Sequence, residues 1–221
     1  MKKLMALSMG VVLSLSVFAQ TEFGIRGGVT ASSLRGDAVE SLNSAVELTD
    51  GIVKTSGRTG VFAGAYVMTP LADNIGLETG VYYTQKGYDI NGEFNFLLQN
   101  QFGVAGSAQL RSHYLDIPLL LNAEVAEGFY VYGGPQFSYL LNNNLRVDVD
   151  VLGISLFKKD FDVTEGFNRA DFSITGGVGY KFDNFIINAG YEHGLSRLDD
   201  NGSVKSFNKA FKIGVSYRLE K

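Results

Sequence analysis

In the last third of the chain the side chains alternate, residue by residue, between those that suit lipid and those that suit water. Phe172, Ile174, Val178, Tyr180 and Phe182 take one parity of DFSITGGVGYKF, and Ser173, Thr175, Gly177, Gly179 and Lys181 take the other. Successive side chains on a strand point to opposite faces, so a strand of this length with one apolar, aromatic-ended face fits a membrane β-barrel. The pattern returns near the end of the chain, where Phe211, Ile213, Val215, Tyr217 and Leu219 alternate with Lys212, Gly214, Ser216 and Arg218.

The first residues read as an export signal. Lys2 and Lys3 form a positive segment, residues 4–18 an apolar run, and Val17-Phe18-Ala19 a small-residue cleavage site, so residues 1–19 are expected to be a signal peptide and 20–221 the barrel domain. The run is too short to span a bilayer as a helix and is followed at once by Gln20, Thr21 and Glu22. There is no cysteine, which excludes a lipoprotein anchor and any disulfide.

No other apolar run approaches the length of a transmembrane helix, so any membrane crossing falls to strands. Loss of Lys2 and Lys3 takes the formal charge from −4 to −6, which disfavours nucleic acid as a partner. Roughly 200 residues suit one domain of about eight strands with their loops.

Those strands can be placed in sequence. The first is expected over 21–33, with Phe23, Ile25 and Val29 outward and Gly24, Arg26, Gly28 and Thr30 inward. Others follow over 58–69, 75–90 (Leu77, Val81 and Tyr83 outward), 107–122 (Leu115, Ile117, Leu119 and Leu121 outward), 129–141, 170–182, 185–197 and 209–219. Long connections over 34–57, 91–106 and 142–169 alternate with short turns such as 70–74 and 124–128, the asymmetry of an outer-membrane barrel with short periplasmic turns and long external loops. The expected fold is therefore all-β: an eight-stranded, antiparallel, up-and-down transmembrane barrel. In the longest connection Leu145, Val147, Val149 and Val151 alternate with Arg146, Asp148 and Asp150, and 154–163 is rich in strand formers. This segment reads as a hairpin projecting above the membrane, since acids fill its polar parity and its apolar face lacks aromatic ends. A ten-stranded barrel is the alternative.

Five stretches carry a family resemblance: FGIRGGVTASSL from Phe23, YYTQKGYDI from Tyr82, HYLDIPLLLNAEV from His113, YVYGGPQFSYLL from Tyr130 and NAGYEHGLSRL from Asn188. Together they resemble the small outer-membrane β-barrel proteins of Bacteroidetes, described as porin family or PorT-like, over nearly the whole mature chain. The resemblance implies residence in the outer membrane after signal cleavage, passage by periplasmic chaperones and the barrel-insertion machinery, and contact with outer-membrane lipid and lipopolysaccharide. Tryptophan is absent, so interfacial belts are expected from Tyr and Phe.

Function has to be sought on the inward parity, which carries Arg26, Glu78, Lys86, Asp116, Lys181, Glu192, Lys212 and Arg218. An eight-stranded barrel is only wide enough to be filled by its own side chains, and unpaired buried charge is costly, so these groups are expected to pair and plug the lumen. The resulting expectation is a non-catalytic barrel whose external loops form a structural or binding surface for an unidentified ligand. A narrow passive pore is one alternative and a lipid A modifying enzyme another.

The enzymatic reading needs a nucleophile, a base and an orienting acid. Only His113 and His193 are available as bases, and His193, near Ser196 and Glu192, has lipid-facing parity while Glu192 faces inward. Asp148, Asp150, Asp160 and Asp162, or Asp199, Asp200 and Asn201, could offer oxygen ligands, yet no EF-hand spacing is present. No catalytic residue, metal site or cofactor is assigned.

Overall fold

The computed structural model describes residues 21–36, 53–95, 103–151, 154–198 and 206–219. The expected signal segment lies outside them, as do Asp199, Asp200 and Asn201. Nine strands are described: β1 (Glu22–Arg35), β2 (Val53–Ala72), β3 (Ile75–Asn95), β4 (Gly103–Ala126), β5 (Phe129–Val151), β6 (Ile154–Asp162), β7 (Ala170–Phe182), β8 (Phe185–Gly194) and β9 (Phe207–Leu219). Among the described residues no helix is long and apolar enough to cross a membrane.

Every pairing is antiparallel, and the sheet closes into a ring. β1 pairs with both β2 and β9, β4 pairs with β5, and β5 pairs directly with β7 through Phe129↔Tyr180 to Tyr139↔Ala170. The barrel wall thus has eight strands. β6 pairs with β5 alone among the described residues, from Asn144↔Asp162 to Val151↔Ile154, so it forms the projecting hairpin and adds no pair to the wall.

The lipid-facing parity is where the alternation places it: Phe172, Ile174, Val178, Tyr180 and Phe182 are exposed on β7, and Phe211, Ile213, Val215, Tyr217 and Leu219 on β9. From Phe172 to Phe182 the strand runs about 34 Å, and a tilt of about 40° leaves roughly 26 Å along the membrane normal, the height of an outer-membrane apolar band. Tight turns join the strands at one end. Gly128 (φ 72°) and Asp183 (φ 50°) adopt the left-handed conformation these turns require.

Several strands are longer than the lipid-facing pattern indicates. β3, β4 and β5 run on through 91–95, 103–106 and 142–151, and β2 begins at Val53, inside segments expected to be loops. Above the membrane both faces of a sheet meet water, so pairing continues there without an apolar parity to reveal it. On one side of the barrel β3, β4, β5 and β6 therefore rise as a wall, with β5 extending about 40 Å along its length past its last pairing with β7. At the foot of this wall Thr164 Oγ1 (2.6 Å) and its N–H (2.9 Å) donate to Asp162 Oδ1, which keeps that carboxyl below the usual carboxylate range.

Residue type alone did not separate belt from lumen. Tyr83, Tyr180 and Tyr217 face lipid as expected, but Tyr66, Tyr82, Tyr114 and Tyr130 are buried inside. Three of these rings lie against glycines of the neighbouring strands: a β-carbon at Gly24 would fall on the Tyr66 ring, one at Gly64 close to that of Tyr82, and one at Gly179 on that of Tyr130.

The depth of the apolar band gives a direct test of this arrangement. Ile213→Arg, in the middle of β9, should cost about 2 to 4 kcal/mol of folding free energy in vesicles, whereas Ala31→Arg, exposed at the extracellular end of β1, should cost about 0 to 1. Denaturant titration that found equal losses would contradict the orientation of the barrel in the bilayer. Ser216 is unsuitable as an inward control, being fully buried and hydrogen-bonded to Arg26.

Candidate functional site

The inward charges form two groups at different heights. Nearer the periplasmic turns, Arg26 on β1 faces Glu78 on β3 across β2. Its Nη1 and Nη2 donate to Glu78 Oε1 (2.7 Å) and Oε2 (2.8 Å), and Nε donates to Ser216 Oγ (2.7 Å). Side-chain exposure is 8% for Arg26 and 2% for Glu78, so the fork-to-carboxylate pair is desolvated. The guanidinium also lies 4.8 Å from the Tyr66 ring centre and 5.8 Å from that of Tyr82, two π-faces that help to hold a buried cation.

Further out, four groups from four strands meet. Lys212 Nζ lies 2.8 Å from Asp116 Oδ2 and 2.9 Å from Glu192 Oε2. Lys86 Nζ contacts Glu192 Oε1 and lies 3.6 Å from Asp116 Oδ1. Two cations and two carboxylates therefore alternate around a ring of zero formal charge. Thr84 Oγ1 donates to Asp116 Oδ2 (2.8 Å), and Lys86 stands 4.7 Å above the Tyr114 ring. Lys86, Asp116 and Glu192 have side-chain exposures of 0 to 1%.

Two of the eight inward charges stand apart. Arg218 reaches Glu22 at the periplasmic rim (3.2 Å), where Glu22 is 45% exposed, and Lys181 lines the periplasmic mouth. That mouth is a cavity of about 160 Å³ beside Glu78, Asn122 and Tyr130. A second chamber of about 50 Å³, lined by Arg26, Tyr132, Asp116 and Lys212, lies between the two ionic groups. Either is large enough for water, and the Arg26–Glu78 pair separates them.

Sequence reasoning did not include Asp171 and Asn208, which sit above the four-membered ring. Asn208 Nδ2 donates to Asp171 Oδ2 (2.7 Å) and to the Tyr114 hydroxyl (3.3 Å). Asp171 already lies on the inward parity of the strand expected over 170–182, and Asn208 becomes readable when the strand expected over 209–219 is extended by one residue. At this end Leu140, Thr164 and Leu198 are buried, and backbone hydrogen bonds tie Leu140 to Arg169, Asn168 to Leu198 and Leu198 to Ser206.

The residues weighed for acyl chemistry are not brought together. Glu192 is engaged by Lys86 inside the lumen, His193 Nδ1 lies 3.4 Å from the Tyr191 hydroxyl on the outside, and Ser196 Oγ accepts from the Phe172 N–H (2.9 Å). Asp148 accepts from Arg146 Nε (3.0 Å). Among the described residues no three His, Asp or Glu side chains converge as metal ligands.

A family model described as "Outer membrane protein beta-barrel domain" matches residues 18–200. No curated protein sequence matches the chain. Similar solved structures include Ail, the attachment invasion locus protein of Yersinia pestis, at 15% identity over 90% of this chain and 99% of that one, with a TM-score of 0.44. Neisserial surface protein A is 14% identical over 89% and 97% (TM-score 0.43), and OprG from Pseudomonas aeruginosa 15% identical over 90% and 96% (TM-score 0.42).

Proposed function

The chain belongs to the outer membrane protein beta-barrel domain family, and from that premise we propose that this integral outer-membrane protein is a non-catalytic barrel with a lumen closed by its own side chains. In this reading the long-stranded wall and external loops are the working surface, a scaffold or binding platform for an extracellular ligand. Export on a signal peptide cleaved after Ala19, kinship with the porin family or PorT-like barrels of Bacteroidetes, and delivery by periplasmic chaperones to the insertion machinery complete the proposal.

The observation that carries it is the pairing of six lumen charges, Arg26 with Glu78 and Lys86 and Lys212 with Asp116 and Glu192. Paired charges in a narrow barrel leave neither an open path nor a free ionic site along it. The chambers on either side of Arg26 favour one second reading, a narrow pore in which the Arg26–Glu78 pair is the constriction.

Planar-bilayer recording separates the two. The refolded full chain should give no unitary conductance steps, and reproducible steps from the wild-type protein would replace the closed barrel with the pore.

A further inference from the structure

On the outer wall the apolar series ends at one level. Going up β4 the outward side chains run Leu121, Leu119, Ile117 and Leu115, then His113 and Arg111. On β3 Val81 and Tyr83 give way to Gln85, and on β9 Ile213 and Phe211 give way to Lys209. A cation on the lipid face is expensive at the bilayer midplane and cheap at the interface, so this level is the outer boundary of the hydrocarbon.

Both histidines of the chain lie at that boundary. His113 Nδ1 shares a hydrogen bond with the Tyr83 hydroxyl, the rings stacked at 5.8 Å, and His193 Nδ1 lies 3.4 Å from the Tyr191 hydroxyl. Each pair adjoins a cation. Arg111 precedes His113 by two residues on the same face, and Lys209 is the cross-strand partner of His193. The β3–β4 and β8–β9 pairs are four strands apart in a ring of eight, which sets the two clusters on opposite sides of the barrel.

Among the described residues no carboxylate neutralises either cation, and Arg111 Nε has no protein partner although it is shielded from solvent. Arg111 Nη2 donates to Gln109 Oε1 (3.0 Å), the oxygen that also accepts from Arg58 (3.3 Å), and Arg58 is held by Asp89 (2.9 Å). Arg58, Gln85, Arg111, His113 and Asn144, together with Asp160, line a groove of about 300 Å³. Lys209 stands beside Tyr191 and Phe211 in the other.

We propose that these two Tyr–His–cation clusters bind the phosphate groups of an outer-leaflet glycolipid. An unpaired guanidinium or ammonium at a water–hydrocarbon boundary attracts a phosphate strongly, and the planar guanidinium fits it through two parallel bonds. The Tyr83 oxygen accepts from Gln85 Nε2 (3.2 Å), which leaves its hydroxyl to donate to His113 Nδ1; in that tautomer the imidazole proton is on Nε2 and gives the phosphate a further donor, as His193 does in the same tautomer. A lipid is favoured over a soluble anion because the same molecule's acyl chains can cover Tyr83, Leu115 and Phe211, the apolar residues immediately below.

The test reconstitutes the full chain in phosphatidylcholine nanodiscs containing either bis-phosphorylated lipid A or its dephosphorylated form and counts retained lipid A by native mass spectrometry. The phosphorylated form should be retained about tenfold better, and Arg111→Gln with Lys209→Gln should lower its retention by about tenfold. Lys158→Gln, on the projecting strand, should leave it unchanged. Lys209→Gln alone should remove about half of the bound lipid, keeping the test decisive if Arg111 proves necessary for folding. Equal retention of the two lipid forms, or by wild type and the double variant, overturns the proposal. Displacement of lipid A by inorganic phosphate also overturns it and assigns the clusters to a free anion. None of these readouts depends on whether the lumen conducts, so failure here is distinguishable from failure of the closed-barrel reading.

Discussion

Glu192→Ala should destabilise the folded barrel by about 3 to 5 kcal/mol, the range for removing one partner of a buried ion pair. Glu192 is fully buried between Lys86 and Lys212, and its loss leaves two ammonium groups sharing Asp116 alone, a net positive charge in the buried lumen. Glu22→Ala supplies the contrast. That carboxylate also pairs with a cation, Arg218, but at 45% exposure on the periplasmic rim, where a pair contributes about 0 to 1 kcal/mol. Urea titration of both variants in vesicles measures the difference. Losses of similar size would mean that water reaches the four-membered ring and that the lumen is not closed there.

The membrane-spanning half of this protein could be read almost residue by residue, for a definite physical reason. Lipid on one side and a packed lumen on the other impose opposite demands on adjacent side chains, so Phe211, Ile213 and Val215 declare their strand and its face together. The same parity brought Arg26, Glu78, Lys86, Asp116, Glu192 and Lys212 to the lumen as a set. It could not say which would meet. That depends on the stagger between strands, and Arg26 reaches Glu78 across β2 while Arg218 turns to Glu22 at the rim and Lys181 stays at the mouth. Strand ends were obscure where lipid no longer acts, as in the wall built by 91–95, 103–106 and 142–151. Tyrosine as a residue type does not separate the two, because its amphipathic ring suits both a membrane interface and a polar lumen; parity does so for Tyr82 and Tyr114, and for Tyr66 and Tyr130 the facing glycines, Gly24 and Gly179, mark the inward side as well.

The Arg26–Glu78 pair offers the sharpest separation of a closed lumen from a pore. Glu78→Ala strands a guanidinium that is 8% exposed and should cost about 3 to 5 kcal/mol if the lumen is dry, less if water enters from the neighbouring chambers of about 160 and 50 Å³. Arg26→Ala strands the carboxylate and also removes the contacts to Tyr66, Tyr82 and Ser216, so its loss should be at least as large. The double variant leaves no orphan charge and should recover part of the summed loss, a coupling of about 2 to 3 kcal/mol in a double-mutant cycle. Arg26→Met with Glu78→Leu should recover more, since apolar residues of similar volume often replace a buried pair without penalty. Conductance gives the second axis. Removing both side chains joins the two chambers, so the double alanine variant should pass more current than wild type, whereas the Met–Leu variant keeps the space filled and should remain silent. Purely additive losses would show that the pair is not coupled, and the closure would then rest on Lys86, Asp116, Glu192 and Lys212 alone.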